Sequence, residues 1–596
     1  MVVILNKINP NNEKIKAKLK NEELIFIFDY KTHLELNNLK IKNYFGDKFL
    51  KNEDIILIEE KSRFLSKWFE EKIISEKITF DEVNLGRLLK NEFHHYLIQE
   101  IKKILQVKKI YEEFRSEEFL ISKDLVNILE KYTNKIQIIE SEENSVQKSE
   151  KKIGDYVIIP FFSKKILVSE KTFRKINENL NWIFYKILNR KKNNKKPNDV
   201  VFIEFDIRKN FNLIKNISKN YNITLFNFRR PYIWNKNSFM KIFKSDFTIV
   251  NTSQKTLSKN EKDMISEFIN LFKTNNFFEN FFKYEDINLW KIIKNDFISI
   301  HENRFHDTIK QIKIIKNFLV ENNFKKIFVW NENGVTERII IDLASKMNIE
   351  IILIQHGMYY ETKEANEYNE FIGIIPTSST VFLGWGNPTI DYMKKKSHNK
   401  KMFAVRNYYF DEIYKKYKKL SKDEYILLVT TTPVRNISSD LFLKNIEEYL
   451  FIIKQIIIIA EKLNKKLIIK VHPDKDNLDL ENYMTIPSFV QLKKFEDISP
   501  LIASCELMIS TDLSTTILEA QNLEKPVIAV KAKKNFLGIP LIFKNSYCKF
   551  LDINLVEDEL LKILKDNSYK KEIITNGTNF LKTYVISSKN SLEHKV

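Results

Sequence analysis

Short apolar runs that stop abruptly at polar residues organise most of this chain. The pattern is densest from Lys466 to Val530, where KLIIKVHPD, FVQLKK and ELMISTDLSTTILEAQNLEKPVIAV follow one another. In a parallel α/β sheet, ligands gather outside the carboxyl ends of strands, so polar residues placed there are candidates for chemistry. Upstream, Ile327–Trp330 predicts a short strand ending in Asn331-Glu332-Asn333-Gly334. A helix follows, with Val335, Ile339, Ile340, Leu343, Ala344 and Met347 on one face. Ile351–Ile354 is a continuous apolar run of the kind buried in parallel sheets, and it ends in Gln355-His356-Gly357. Tyr425–Val429 starts another unit that stops at Thr430-Thr431-Thr432-Pro433, and a helix from Ser439 to Leu463 leads into Leu467–Val471. Leu507–Ser510 and a helix over Ile517–Leu523 close the series.

The first 140 residues carry a weaker version of the same alternation. Leu24–Phe28, Ile55–Ile58 and Ile136–Ile139 predict strands; Phe93–Leu105 and Asp124–Tyr132 predict helices. Glu140–Lys152 is polar and aperiodic, as a linker would be. After the basic run Asn189–Asn198, Val200–Phe205 predicts a strand that opens a βαβ unit, and Thr252–Asn323 is helical in pattern. Pro376–Ile390 and Met402–Tyr414 complete that unit, Lys415–Asp423 is a charged connector, and the last dozen residues read as a polar tail. The expected organisation is an N-terminal α/β domain over 1–145, a second over 155–415 and a third over 420–585.

Composition narrows the class. A chain of 596 residues exceeds one hydrophobic core. Its formal charge of +20 favours anionic partners, although Lys and Asn are used heavily throughout and solvated basic faces explain most of it. Cys505 and Cys548 are the only cysteines, which argues against a disulfide scaffold or structural zinc and fits a reducing cytoplasm. The N-terminal apolar run is too short for a signal peptide, and Lys454 and Gln455 interrupt Phe451–Ala460, so membrane contact is expected only as peripheral contact with an anionic inner face. The glycine-rich dinucleotide loop is missing, which removes nicotinamide and flavin cofactors; no cofactor is expected. A recognisable nucleic-acid module is missing too.

Each strand-end residue has a functional and an ordinary reading. Ser514, Thr515 and Thr516 precede a helix, where free N–H groups and the positive dipole end bind phosphate; Thr516 and Glu519 also have capping-box spacing. Glu519 is alternatively a ribose ligand. His472-Pro473 closes a strand, where an imidazole can donate to a departing phosphate or simply face solvent. Asp474-Lys475-Asp476 matches a DxD triplet, but such triplets are common in so charged a chain, and no metal is expected. His356 is placed to act as general base or to bond backbone; Glu332 is placed to act as base or to cap the next helix. Thr431 completes the set, and five of the ten glycines lie between Gly334 and Gly386.

Together these residues resemble the GT-B glycosyltransferase superfamily, in particular the bacterial surface-polysaccharide group of CDP-glycerol glycerophosphotransferases, capsule Kdo transferases and sialyl- and polysialyltransferases. KVHPD is similar to the HP motif, MISTDLSTTILEAQNLEKPVI to the segment that holds donor phosphates, and Gln355-His356-Gly357 to the acceptor-side His-Gly element. Asn331-Glu332-Asn333-Gly334 resembles the acidic-acidic-Gly motif with Asn333 in place of its second acid, and Arg406-Asn407 stands where a glycine is usual. The resemblance covers residues 325 to 535, more weakly back to 200, and does not reach the first 150.

It implies an α/β fold with a GT-B-like pair of Rossmann-like domains, preceded here by the extra N-terminal domain. It also implies a metal-independent glycosyltransferase using a nucleotide-activated sugar donor, CMP- or CDP-linked ahead of UDP-linked, and a glycan or lipid-linked glycan acceptor. Under that reading Thr431, His472, Pro473, Ser514, Thr515, Thr516 and Glu519 hold the donor, while His356 or Glu332 takes the acceptor proton and His472 stabilises the leaving nucleotide. A nucleotide-sugar 2-epimerase of the same fold and a non-catalytic basic binding protein are the alternatives.

Overall fold

The computed structural model describes residues 1–6, 13–139, 156–161, 164–189, 200–252, 256–285, 287–420, 423–431, 446–472, 480–532 and 537–586. Within these residues the chain is α/β, with two Rossmann-like parallel sheets and a further parallel sheet ahead of them.

The first sheet places Val2–Leu5 at its centre, flanked by Leu24–Ile27 and Tyr44–Phe45 on one side and by Phe119–Ser122 and Ile136–Ile139 on the other, all parallel. The run Ile55–Ile58 is not a strand. It lies inside the helix Asn52–Leu65, whose buried residues Asp54, Ile55, Ile58, Glu59, Ser62 and Leu65 recur at helical spacing. Asp54 settles the start by accepting the Lys51 N–H at 2.8 Å. The expected helix Phe93–Leu105 extends over Lys90–Glu113.

The second sheet orders its strands Thr248–Ile249, Ile223–Phe226, Val200–Ile203, Lys326–Val329, Glu350–Ile354, Val381–Gly384 and Lys401–Ala404. Its first and fourth strands in chain order are neighbours, so the direction of progress across the sheet reverses between Val200–Ile203 and Lys326–Val329. Burial on both faces explains why these strands are apolar throughout. Val201, Ile203, Ile327, Val329, Ile351 and Leu353 join one core, while Val200, Phe202, Phe328, Ile352 and Ile354 join the other. The first of these cores is continuous with that of the N-terminal sheet through the long helix Leu289–Glu321. There Trp68 and Phe93 pack on Phe297 and His301.

The third sheet has the order Val490–Lys493, Lys466–Lys470, Tyr425–Val429, Leu507–Thr511, Val527–Val530 and Lys549–Leu551, again parallel and again reversing between its first and fourth strands. The helix Asn567–Tyr584 follows and returns to the second sheet. Its end lies against Gly386, where any side chain would run into the Tyr584 carbonyl, and Ile586 donates its N–H to the Trp385 carbonyl at 2.7 Å. The expected helix from Ser439 is described over Ile446–Lys462; the linker Glu140–Lys152, Pro473, the DxD triplet and the polar tail lie outside the described residues.

Candidate functional site

Both Rossmann-like sheets open a crevice where strand order reverses, because the connections on either side leave in opposite directions. In the third sheet that point lies between Tyr425–Val429 and Leu507–Thr511. Thr431 sits there: its N–H donates to Thr511 Oγ1 at 2.7 Å and the two hydroxyls are 3.0 Å apart. Next door, the His472 N–H donates to Thr430 Oγ1 at 3.3 Å, and the His472 side chain is exposed. Three neighbouring strand ends are thus stitched together by threonine hydroxyls, with His472 on their rim.

The helix Thr515–Asn522 begins at this crevice. Its N-cap is Ser514, whose Oγ accepts the Thr516 N–H and lies 2.8 Å from Thr516 Oγ1. The cap therefore falls two residues before the position that Ser/Thr-x-x-Glu spacing indicated, and Glu519 takes no part in it. Glu519 is buried, receives hydrogen bonds from Tyr409 and Ser499, and has its carboxyl held above the usual range by that burial. It supports the site from beneath. Asp512, also buried, turns the chain with φ of 55°, a left-handed conformation that costs a non-glycine residue about 1–3 kcal/mol. Its Oδ1 accepts the Ala532 N–H at 2.9 Å, which helps hold the turn.

The second sheet supplies the facing wall. His356 follows the strand Glu350–Ile354 and is exposed, with the Trp330 and Tyr359 rings packed beside it. That crowding pushes its pKa down to about 4, helped by the positive charge of Arg230; a bond to the Trp330 carbonyl works the other way. The imidazole is therefore neutral at pH 7. The bond to Trp330 keeps one ring nitrogen as donor and the other as acceptor, and Nδ1 lies 3.4 Å from the Tyr359 hydroxyl.

Glu332 does not share this cleft position. It is 1% exposed, and its carboxylate accepts from the N–H groups of Thr377, Ser378 and Ser379 and from Thr377 Oγ1, at 2.7 to 3.2 Å. The Glu332 N–H donates in turn to the carbonyl of Gly373, a residue whose φ of +77° suits glycine. A carboxylate so fully occupied is a staple between two loops. Glu332 is not the helix cap either: that position is Gly334, which has no side-chain cap bond, and Asn331 Oδ1 holds the turn before it through the N–H groups of Asn333 and Gly334.

The two walls touch. The Met358 N–H, two residues after His356, donates to Thr515 Oγ1 at 3.1 Å, and Thr362 bonds the Leu537 carbonyl. Of the candidates, His356 and the Ser514–Thr516 turn are brought together, Thr431 and His472 line the adjacent strand ends, and Glu332 and Glu519 are buried behind them. Arg229 and Arg230 were missed. They follow the strand Ile223–Phe226, the position that singled out the others, and their N–H groups bond the buried Glu204 while Arg229 pairs with Glu337 at 2.6 Å.

The sequence model of a family described as LIC12162 family transferase matches residues 125–537. The chain belongs to this family. The match takes in the second sheet and most of the third, including His356, His472 and Ser514 of this transferase. No curated protein matches the sequence. Among solved structures, the transferase is similar to a UDP-N-acetylglucosamine 2-epimerase, at 13% identity and a TM-score of 0.39, over 64% of this chain and 91% of that one. It is also similar to Anabaena HepE in complex with UDP and glucose, at 10% identity and a TM-score of 0.37, over 65% and 95%. Spinosyn rhamnosyltransferase with spinosyn aglycone aligns at 10% identity and a TM-score of 0.36, over 65% and 97%. Likeness this distant says nothing of substrate.

Proposed function

We propose that this transferase moves a sugar, or a sugar-like phosphate unit, from a nucleotide-activated donor to a bacterial surface glycan such as capsule or lipopolysaccharide. CMP- or CDP-linked donors rank ahead of UDP-linked ones. The observation that carries the reading is the contact between Met358 and Thr515. It sets a neutral imidazole and a hydroxyl-rich helix start on opposite walls of one cleft.

In this account the donor phosphate rests at the Ser514–Thr516 turn, where the helix dipole and hydroxyl donors offset its charge. Thr431 and His472 border the nucleotide. The acceptor oxygen bonds to the anomeric carbon as the bond from that carbon to the donor phosphate oxygen breaks. His356 takes the acceptor proton, and the electron pair leaves on the phosphate. A pKa of about 4 leaves His356 unprotonated but weakly basic in the empty cleft. A phosphate brought close raises it toward the range a general base needs, so donor binding itself activates the base. No step requires a metal ion, because the helix start and His472 stabilise the leaving charge. The second domain then serves the acceptor and the third the donor; peripheral contact with an anionic membrane fits a lipid-linked acceptor and the charge of +20.

Incubation with CMP-, CDP- and UDP-sugars, with nucleotide release followed with and without glycan acceptor, tests the proposal. Acceptor-dependent release supports it. Turnover of a UDP-sugar that ignores acceptor indicates epimerase chemistry.

A further inference from the structure

The N-terminal sheet carries a helix that reaches the acceptor wall of the cleft. Asn91, His94 and His95 stand at i, i+3 and i+4 near the start of Lys90–Glu113, so they share one face. That face and the strand ends of the second sheet enclose a cavity of about 180 Å³, lined also by Asn331, His356 and Phe371. Its volume equals that of about six liquid waters. It matches one pyranose ring.

The lining has a consistent chemistry. Its lining residues include no carboxylate, lysine or arginine. His94 is 1% exposed, its ring bonds the Glu59 carbonyl, and its Nε2 has no hydrogen-bond partner among the described residues. Asn91 Oδ1 is buried and equally unpartnered among the described residues. Both residues line one cavity wall, and leaving two such acceptors unsatisfied costs about 1–3 kcal/mol each; each atom is closed off in this structure, so a small rotation of either side chain toward a partner that brings donors would relieve that cost. Phe371, 4.8 Å from the His94 ring centroid, and two isoleucines add an apolar side. Hydroxyl donors on a ring with one apolar face are what a neutral sugar presents.

We propose that this cavity is an acceptor subsite for one uncharged sugar residue, and that the N-terminal sheet is retained to complete it. The inference rests on His356 being the acceptor-side base, since the cavity includes that residue. It assigns the N-terminal helix the selection of the acceptor and leaves the donor to the third sheet.

Saturation-transfer NMR on the full-length protein without donor tests it, with methyl glycosides of glucose, galactose, mannose and N-acetylglucosamine as neutral probes and glucuronate as the anionic one. Expected is transfer to at least one neutral glycoside, reduced at least tenfold in Asn91→Leu and in His94→Phe, with partial recovery in His94→Gln. Asn91→Leu removes an unsatisfied acceptor, so its Tm should equal or exceed that of the parent; a merely structural asparagine would lower it. The inference is overturned if no neutral glycoside binds the parent, if only glucuronate does, or if Asn91→Leu binds as the parent does. Thermal stabilisation by CMP or CDP on the same samples keeps the two readings apart. Glycoside binding without nucleotide binding removes the donor assignment and keeps the subsite; nucleotide binding without glycoside binding does the reverse.

Discussion

The backbone N–H of Met358 donates to the hydroxyl of Thr515 at 3.1 Å, and this bond joins the wall that carries His356 to the start of the helix capped by Ser514. It lies two residues from His356 and one from the Ser514 cap. Thr515→Val keeps the shape and deletes the acceptor of that bond. The expected result is a fall in transfer rate of about tenfold, the loss of one aligned bond, with a change in Tm of no more than a few degrees. Steady-state kinetics beside a thermal melt check it.

His356→Ala should lower kcat by about 10²- to 10⁴-fold, the usual contribution of a positioned general base. The pH profile is more specific. With the pKa of the empty site at about 4, the acid limb of kcat/KM should fall at low pH. The limb of kcat, which reports the donor-bound enzyme, should lie higher. Arg230→Gln removes a charge that holds His356 down and should move the kcat/KM limb upward.

Glu332→Gln distinguishes a staple from a base. Weakening the charge-assisted bonds from residues 377–379 should cost about 3 kcal/mol of stability, while kcat of the folded enzyme stays within a few-fold of the parent. Urea unfolding and active-site-normalised kinetics measure the two separately. A large loss of kcat at unchanged stability would return Glu332 to the role of base.

His301 should make the protein acid-labile. It is fully buried among Trp68, Phe93, Phe272, Phe297 and Phe305, and burial pushes its pKa from 6.5 down to about 4. Between pH 6.5 and about 4 the unfolded chain takes up a proton that the folded chain refuses, so stability falls as pH falls. The contribution is about 3 kcal/mol over that window. In His301→Leu the difference in unfolding free energy between pH 7 and pH 4 should shrink by about that amount.

Much of this was legible because strands buried on both faces are short apolar runs, and their polar ends stand out. The runs ending at His356, Thr431, His472 and Ser514 are strands of the expected sheets. What failed did so for physical reasons. Ile55–Ile58 is too short a run to reveal its period, and only the wider spacing of buried residues shows a helix. Glu332 and Glu519 occupy the right sequence positions, but whether a carboxylate faces a cleft or a loop depends on tertiary contacts. Asn91 and His94 carry no motif; they matter through a surface about 260 residues away in the chain, which sequence spacing cannot register. Arg229 and Arg230 could have been found by treating Ile223–Phe226 as the other strands were treated.

The central claim is that the turn at Ser514–Thr516 holds a nucleotide phosphate. Thermal melts with CMP, CDP, UMP and UDP test it most directly, on the parent and on Ser514→Ala and His472→Ala. A nucleotide present at 100 times its Kd adds about 2.7 kcal/mol and shifts the melt by several degrees. The account predicts such a shift with CMP or CDP, largely lost in Ser514→Ala and reduced in His472→Ala. Melts unmoved by any of the four nucleotides, or moved equally in parent and variants, would contradict it.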